Sequence, residues 1–343
     1  MRKVGIGLQG GGTHGAFTWG ALDRILEEVE AGRLEIAAIS GASAGALNAA
    51  VAACGLVEGG PTLARARLRE FWETVSLRGA MAGNALVYGD PGWFGFNIDW
   101  SPAAIAVEAL GLVVSPYTNP FYRDALGPIL RELLPPTRLA RLNEAGAPRV
   151  FVTATNVRDN TRHNFSQPAI SVDVLRASAC LPMEFKAVEI EGVPYWDGGY
   201  LGNPALNPLL ACADDLLLVL INPLNKPGAP PRGARAILDR LNAISFNASV
   251  VVELNSIEAI NSLLAELRAQ GVAYSGRYRP VQVGLIRDEA FLAGLGVVSK
   301  NSTSRVFLEA LHAAGYGAAD RFFREGGEDP KQGLVAPALN EGT

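Results

Sequence analysis

The chain has 343 residues, 49% of them apolar and 19% charged, with a formal net charge of −4. That balance describes a packed globular chain able to bury a sizeable core, and it excludes the disordered and fibrous classes. Lys and Arg are scattered, so no basic stripe marks a nucleic-acid partner.

The chain opens with Met1-Arg2-Lys3 and an apolar run that breaks into Gly10-Gly11-Gly12, without the small-residue cleavage site of a signal peptide. Val4 to Gln9 reads as a buried strand, and Phe17 to Ala31 as a helix with Leu22, Ile25, Leu26 and Val29 on one face. The unit repeats with Ile36 to Ser40 as a strand, Gly41 to Gly45 as a turn and Ala46 to Cys54 as a small-residue helix. Two consecutive β-turn-α units predict a parallel sheet. From Leu77 to Tyr122 the pattern loosens into an insertion rich in Gly, Pro and aromatics, among them Trp93, Phe94, Phe96 and Trp100. Such rings suit a lid or acyl-chain groove, and equally well simple packing on the core. Pro102 to Pro116 is the most membrane-like stretch, but it carries Glu108 and falls short of the ~20 residues that span a bilayer.

Regularity returns with Arg149 to Thr155 as a strand, His163 to Phe165 as its partner, Val172 to Ser178 as a short helix and Leu216 to Ile221 as a further strand. Pro223 to Arg232 is a Pro/Gly-rich loop. The spacing of Ile237, Leu241, Ile244, Ala248 and Val251, then Ile257, Ile260, Leu264 and Leu267, predicts one long helix or two abutting ones. The expected organisation is a core over residues 4–222 with its insertion at about 77–122, a helical region over 223–324 packed on that core, and a mobile tail over 325–343. Cys54, Cys180 and Cys212 lack CxxC spacing and read as core thiols of a reducing compartment, which predicts a cytoplasmic protein, free or peripheral at a membrane.

The segment Gly10-Gly11-Gly12-Thr13-His14-Gly15 follows a strand and opens a helix, so its backbone N–H groups converge on an anionic group. It also fits the dinucleotide pattern GxGxxG, but the acidic residue required at the end of the second strand is missing. That strand ends in Gly41-Ala42-Ser43-Ala44-Gly45, the spacing of a nucleophile elbow, where the Ala44 N–H can donate to an oxyanion. Serine needs a base. Of His14, His163 and His312, the last would complete a Ser43, Asp197, His312 order, but it lies in a helical run and the elbow comes early for a triad of that type. Tyr195-Trp196-Asp197-Gly198-Gly199 offers instead a carboxylate followed by two glycines that permit a sharp turn. Neither a calcium-loop spacing nor HExxH occurs, so no metal and no other cofactor is expected.

Together with Pro182-Met183-Glu184-Phe185 upstream and Asn203-Pro204-Ala205 downstream, the ordered glycine loop, elbow and Asp-Gly-Gly turn resemble the patatin-like phospholipase family over about residues 4–222. The resemblance implies a three-layer α/β/α fold with a mainly parallel central sheet. It implies a Ser-Asp dyad in which Ser43 forms an acyl-enzyme, Asp197 is the base and N–H groups near Gly11 and Gly12 hold the oxyanion. The substrate would be a lipid acyl ester, cut in the manner of a phospholipase A or lysophospholipase. Another ester such as polyhydroxyalkanoate, and a lipid-binding module without turnover, are the alternatives. Aspartate is a weak base at its reference pKa of about 3.9, so burial must raise it or preorganisation must compensate. The chain departs from the family at His14, where many members carry Arg or Lys; a mostly neutral histidine is expected to order the loop by hydrogen bonding. Oligomeric state has no signature here.

Overall fold

The computed structural model describes residues 2–84, 96–99, 105, 114–225, 229–273 and 279–325. Strands β1 (Arg2–Leu8), β2 (Leu34–Ala42), β3 (Arg149–Asn156), β4 (Thr161–Ser166), β5 (Val188–Ile190), β6 (Val193–Asp197), β7 (Asp215–Val219) and β8 (Val283–Ile286) form one sheet. Their order is β5-β6-β3-β2-β1-β7-β8, with β4 paired to β3 off this path. The run from β3 to β8 is parallel, and antiparallel pairing is confined to β3-β4, β3-β6 and β5-β6. The described helices are α1 (Gly15–Glu30), α2 (Ala44–Met81), α3 (Leu126–Leu133), α4 (Pro136–Ala140), α5 (Val172–Ser178), α6 (Asn207–Leu210), α7 (Ala234–Ala269), α8 (Glu289–Ala293) and α9 (Arg305–Arg324).

Strand alternation sorts the core into two halves. Val4, Ile6 and Leu8 of β1 and Leu217 and Val219 of β7 join the larger apolar cluster with α1, α2 and α9. Leu216 and Leu218 of β7 point the other way, into a second cluster with Leu206 and Leu209 near α6 and Val250, Leu254 and Ile257 of α7. Helices therefore cover both faces of a mainly parallel sheet, the three-layer α/β/α fold expected from the sequence.

Three elements differ from expectation. The small-residue helix after the elbow does not stop near Cys54 but continues to Met81, past the point at Leu77 where the pattern loosens. Gly59 and Gly60, with φ of −170° and 78°, break it into two segments, and Pro61 opens the second. Its resumption follows from Ala64, Leu68, Phe71 and Trp72, a buried stripe at helical spacing. Most of Pro102 to Pro116 lies outside the described residues; among the described residues Ala236–Ala269 of α7 is long and apolar enough, by length and composition, to cross a membrane, a feature not expected from the sequence. Its buried Phe246, Val250, Leu254, Ile257 and Leu264 face the protein. Its exposed positions from Ile237 to Leu263 carry no charged residue. Finally, the C-terminal third is not purely helical, since β8 extends the sheet beside β7. The tail from residue 326 lies outside the described residues.

Candidate active site

The register on β3 decides which residues meet. β2 pairs with β3 up to Ala42 opposite Thr153, while β4 occupies β3 from Phe151 to Asn156 and so must lie on its other edge. β6 pairs with Ala154 to Asn156 antiparallel, a stretch whose β4 edge is taken, so it continues the β2 edge from the opposite direction. Asp197 stands opposite Ala154, one residue beyond the partner of Ala42. The ends of β2 and β6 thus meet head to head, and Ser43 and Asp197 are the residues at the junction.

Ser43 is the turn residue between β2 and α2, with φ 53° and ψ −129°, a conformation that costs a non-glycine residue about 1–3 kcal/mol. Neighbours hold it there. The Ser43 N–H lies 2.9 Å from the Ser178 Oγ and 3.1 Å from its carbonyl oxygen, and the Ser178 hydroxyl donates to the Thr153 carbonyl at 2.6 Å. Gly45 is obligatory: a Cβ there would lie 2.1 Å from the Leu8 carbonyl oxygen. As the first residue of α2, Ala44 has an N–H with no intrahelical acceptor, directed to the turn that bears the serine.

The glycine loop is fixed from both ends of the chain. Gly10 N–H donates to Asn203 Oδ1 at 2.6 Å, and the Gly10 carbonyl accepts from Asn222 Nδ2 at 3.0 Å. Gly12–His14 forms a 3-10 turn leading into α1 at Gly15. Buried Asn48 donates to the carbonyls of Gly15 and Ala44, both at 3.0 Å, and so ties the start of α1 to the start of α2. His14 is buried, with Nε2 2.8 Å from Ser299 Oγ. Its pKa lies well below the usual histidine value, first because burial disfavours the cation and then because Lys300 is close. At neutral pH it is a neutral hydrogen-bonding group.

Asp197 is fully buried. Its Oδ1 accepts from Gly199 N–H at 2.7 Å and its carbonyl from Thr155 Oγ1 at 2.8 Å, while its own N–H donates to the Cys180 carbonyl at 2.8 Å. Gly198 and Gly199 continue as a short 3-10 turn. Burial raises the carboxyl to about 7, against the lowering effect of Ser43, the Gly199 N–H and Lys300; Glu184 adds to the rise. Ser43 is close enough to stabilise the carboxylate, yet their contact falls short of a formed hydrogen bond, since Oδ2 is buried without a partner. Glu184 has accessible surface, but the protein around its carboxyl still pushes its pKa up, opposed by an Asn301 Nδ2 donor at 3.1 Å.

The other histidines lie elsewhere. His312 on α9 sits 2.8 Å from Asp23 Oδ2 and against Trp19, and His163 on β4 lies tilted against Phe165 and edge-on to Tyr195. Of the aromatic insertion, Phe96 packs with Phe291 and Phe307, the latter edge-on to His14. Trp93, Phe94 and Trp100 lie outside the described residues. Sequence reasoning missed Ser178, Asn222, Ser299 and Lys300. Asn222 had a readable signal, a polar residue closing the apolar run Leu216 to Ile221. Ser299 and Lys300 had none.

A family model described as Patatin-like phospholipase matches residues 7–210. Among solved structures the chain is similar to VipD from Legionella pneumophila, at 16% identity and a TM-score of 0.34, over 90% of this chain and 67% of that one. No curated protein sequence matches it significantly.

Proposed function

Because the chain belongs to the patatin-like phospholipase family, whose members are lipid acyl-ester hydrolases, we propose that it cleaves such esters with Ser43 as nucleophile and Asp197 as base. The observation that carries this reading is the head-to-head meeting of β2 and β6, which sets a strained serine beside a buried carboxyl with one unpartnered oxygen. A carboxyl raised to about 7 is matched to proton transfer near neutrality.

In the proposed cycle Ser43 Oγ attacks the acyl carbonyl carbon as its proton passes to Asp197. The N–H groups of Gly11, Gly12 and Ala44 hold the tetrahedral oxyanion. Asp197 then protonates the departing alcohol, leaving an acyl-enzyme. Water, deprotonated by Asp197, attacks that ester, and its proton returns to the Ser43 oxygen as the carboxylic acid leaves. Lipid contact fits the exposed apolar side chains of α7, where Ile237, Leu238, Leu241 and Ile244 are 40–56% exposed beside the half-buried Asp239 and Arg240.

The test is hydrolysis of short-chain p-nitrophenyl esters, phospholipid and lysophospholipid vesicles and polyhydroxyalkanoate by wild type, Ser43→Ala and Asp197→Asn. We expect both variants to lose at least 10³-fold on every substrate the wild type cuts. Residual rates equal to wild type would defeat the dyad, and no turnover by wild type would favour a lipid-binding module. In the same assay Leu241→Asp should slow cleavage in vesicles while sparing soluble esters; equal rates on both would remove α7 from lipid contact.

A further inference from the structure

We propose that Lys300 is a positioning residue that locks the glycine loop to the Asp197 turn and places its ammonium group beside both, an inference that rests on the Ser43–Asp197 reading. Lys300 lies in the 3-10 turn Val298–Asn301, between α8 and α9, far along the chain from either motif. Asp99 anchors that turn by accepting from the Val298 N–H at 2.9 Å. The turn lies across the loop: Thr13 Oγ1 donates to the Ser299 carbonyl at 3.0 Å, and a Cβ on Gly12 would come 2.4 Å from the Lys300 carbonyl oxygen.

The side chain reaches both catalytic segments through one intermediate each. Nζ donates to Asn222 Oδ1 at 2.8 Å, and the same amide holds the Gly10 carbonyl through Nδ2. The ammonium also lies 5.5 Å from the centroid of the Phe246 ring. That ring presses on Gly199, where a Cβ would meet Cε1 at 2.6 Å, and Gly199 is the residue whose N–H bonds Asp197.

The charge is placed to matter. His14, inside the loop, is held neutral by burial and by Lys300, so it cannot supply a cation. Around Asp197 stand Glu184 and Lys300, which act on its charge in opposite directions, together with Tyr200 and Cys180, whose own ionisation Asp197 disfavours. A cation that favours ionised Asp197 against burial and Glu184 keeps the base available at lower pH.

The test compares Lys300→Arg, Lys300→Gln and Lys300→Met in the full chain, with thermal melts to verify folding and pH profiles of kcat/KM on the best ester found. Loss of the charge in Lys300→Gln should move the acid limb upward by about half to one pH unit. Lys300→Met should show the same shift and lower kcat about tenfold, with KM little changed, and Lys300→Arg should restore the limb. If Lys300→Met does not fold, the Gln and Arg pair decides. Wild-type limbs and kcat in both folded neutral variants, while Ser43→Ala and Asp197→Asn are inactive, would overturn the Lys300 assignment alone. Activity surviving in Ser43→Ala or Asp197→Asn would overturn the dyad beneath it.

Discussion

At the residue scale, the burial of Asp197 sets native stability against the role of base proposed for it. Its ordinary value of 3.8 becomes about 7 on burial, so the fold binds its proton more tightly than the unfolded chain does. The sign follows: with rising pH, ionising the group costs native stability progressively between about 4 and about 7, and the cost is complete above that window. Asp197→Asn should therefore raise the melting temperature relative to wild type at pH 8 and show a smaller gain, or none, at pH 4. Thermal melts at both values check this, and an equal difference at both would mean that the carboxyl does not titrate in the window. Activity should move the opposite way, rising with pH as the base form accumulates near 7. The serine and aspartate were legible because each sits in a short motif with flanking glycines. Ser178, Ser299 and Lys300 were not, because each acts on a turn more than a hundred residues away and no local pattern encodes that pairing.

At the element scale, α1 and α9 show how tightly the C-terminal part is set against the motif-bearing part. A Cβ on Gly20 would lie 1.9 Å from the His312 carbonyl oxygen, and one on Gly315 equally close to that of Phe17, so the helix backbones nearly touch. Gly315→Val should cost about 1–3 kcal/mol by overpacking and also lower kcat, because α9 continues directly from the Lys300 turn. Gly317→Val, whose nearest neighbour is 3.6 Å away, should do neither. Melting temperature and ester hydrolysis measured together distinguish the pair; a silent Gly315→Val would mean that the crossing can relax. Helical periodicity made α1, α7 and α9 readable. The second segment of α2 carried the same signal in Leu68, Phe71 and Trp72, but Gly59-Gly60-Pro61 reads as a stop, and the chain resumes its helix only because that stripe finds the core.

At the scale of the whole molecule, the core over residues 4–222 shares its packing with the chain beyond it. The second apolar cluster draws Val250, Leu254, Ile257, Val281, Val283 and Leu285 from beyond residue 222. At about 1.5–3 kcal/mol for each buried aliphatic side chain, that contribution rivals the roughly 5–15 kcal/mol stability of an entire domain. A chain ended at residue 222 should be aggregated or unfolded by size exclusion and circular dichroism, and inactive. A monodisperse, folded fragment would show that β7 can face solvent without its cover. The sequence made the layering legible through two opening β-turn-α units, while β8 escaped because four residues are too few for alternation to stand out from a loop.

The meeting of β2 and β6 along one edge of β3 also bears on how such a site withstands divergence. The separation of Ser43 and Asp197 is a property of cross-strand pairing, not of the chain length between them. Exposed turns such as 144–146 and 158–160 can lengthen or shorten without entering the chemistry, provided the three strands keep their partners. A slip of β6 by a single residue would bring Trp196 or Gly198 to the place of the carboxylate and turn every β6 side chain to the opposite face.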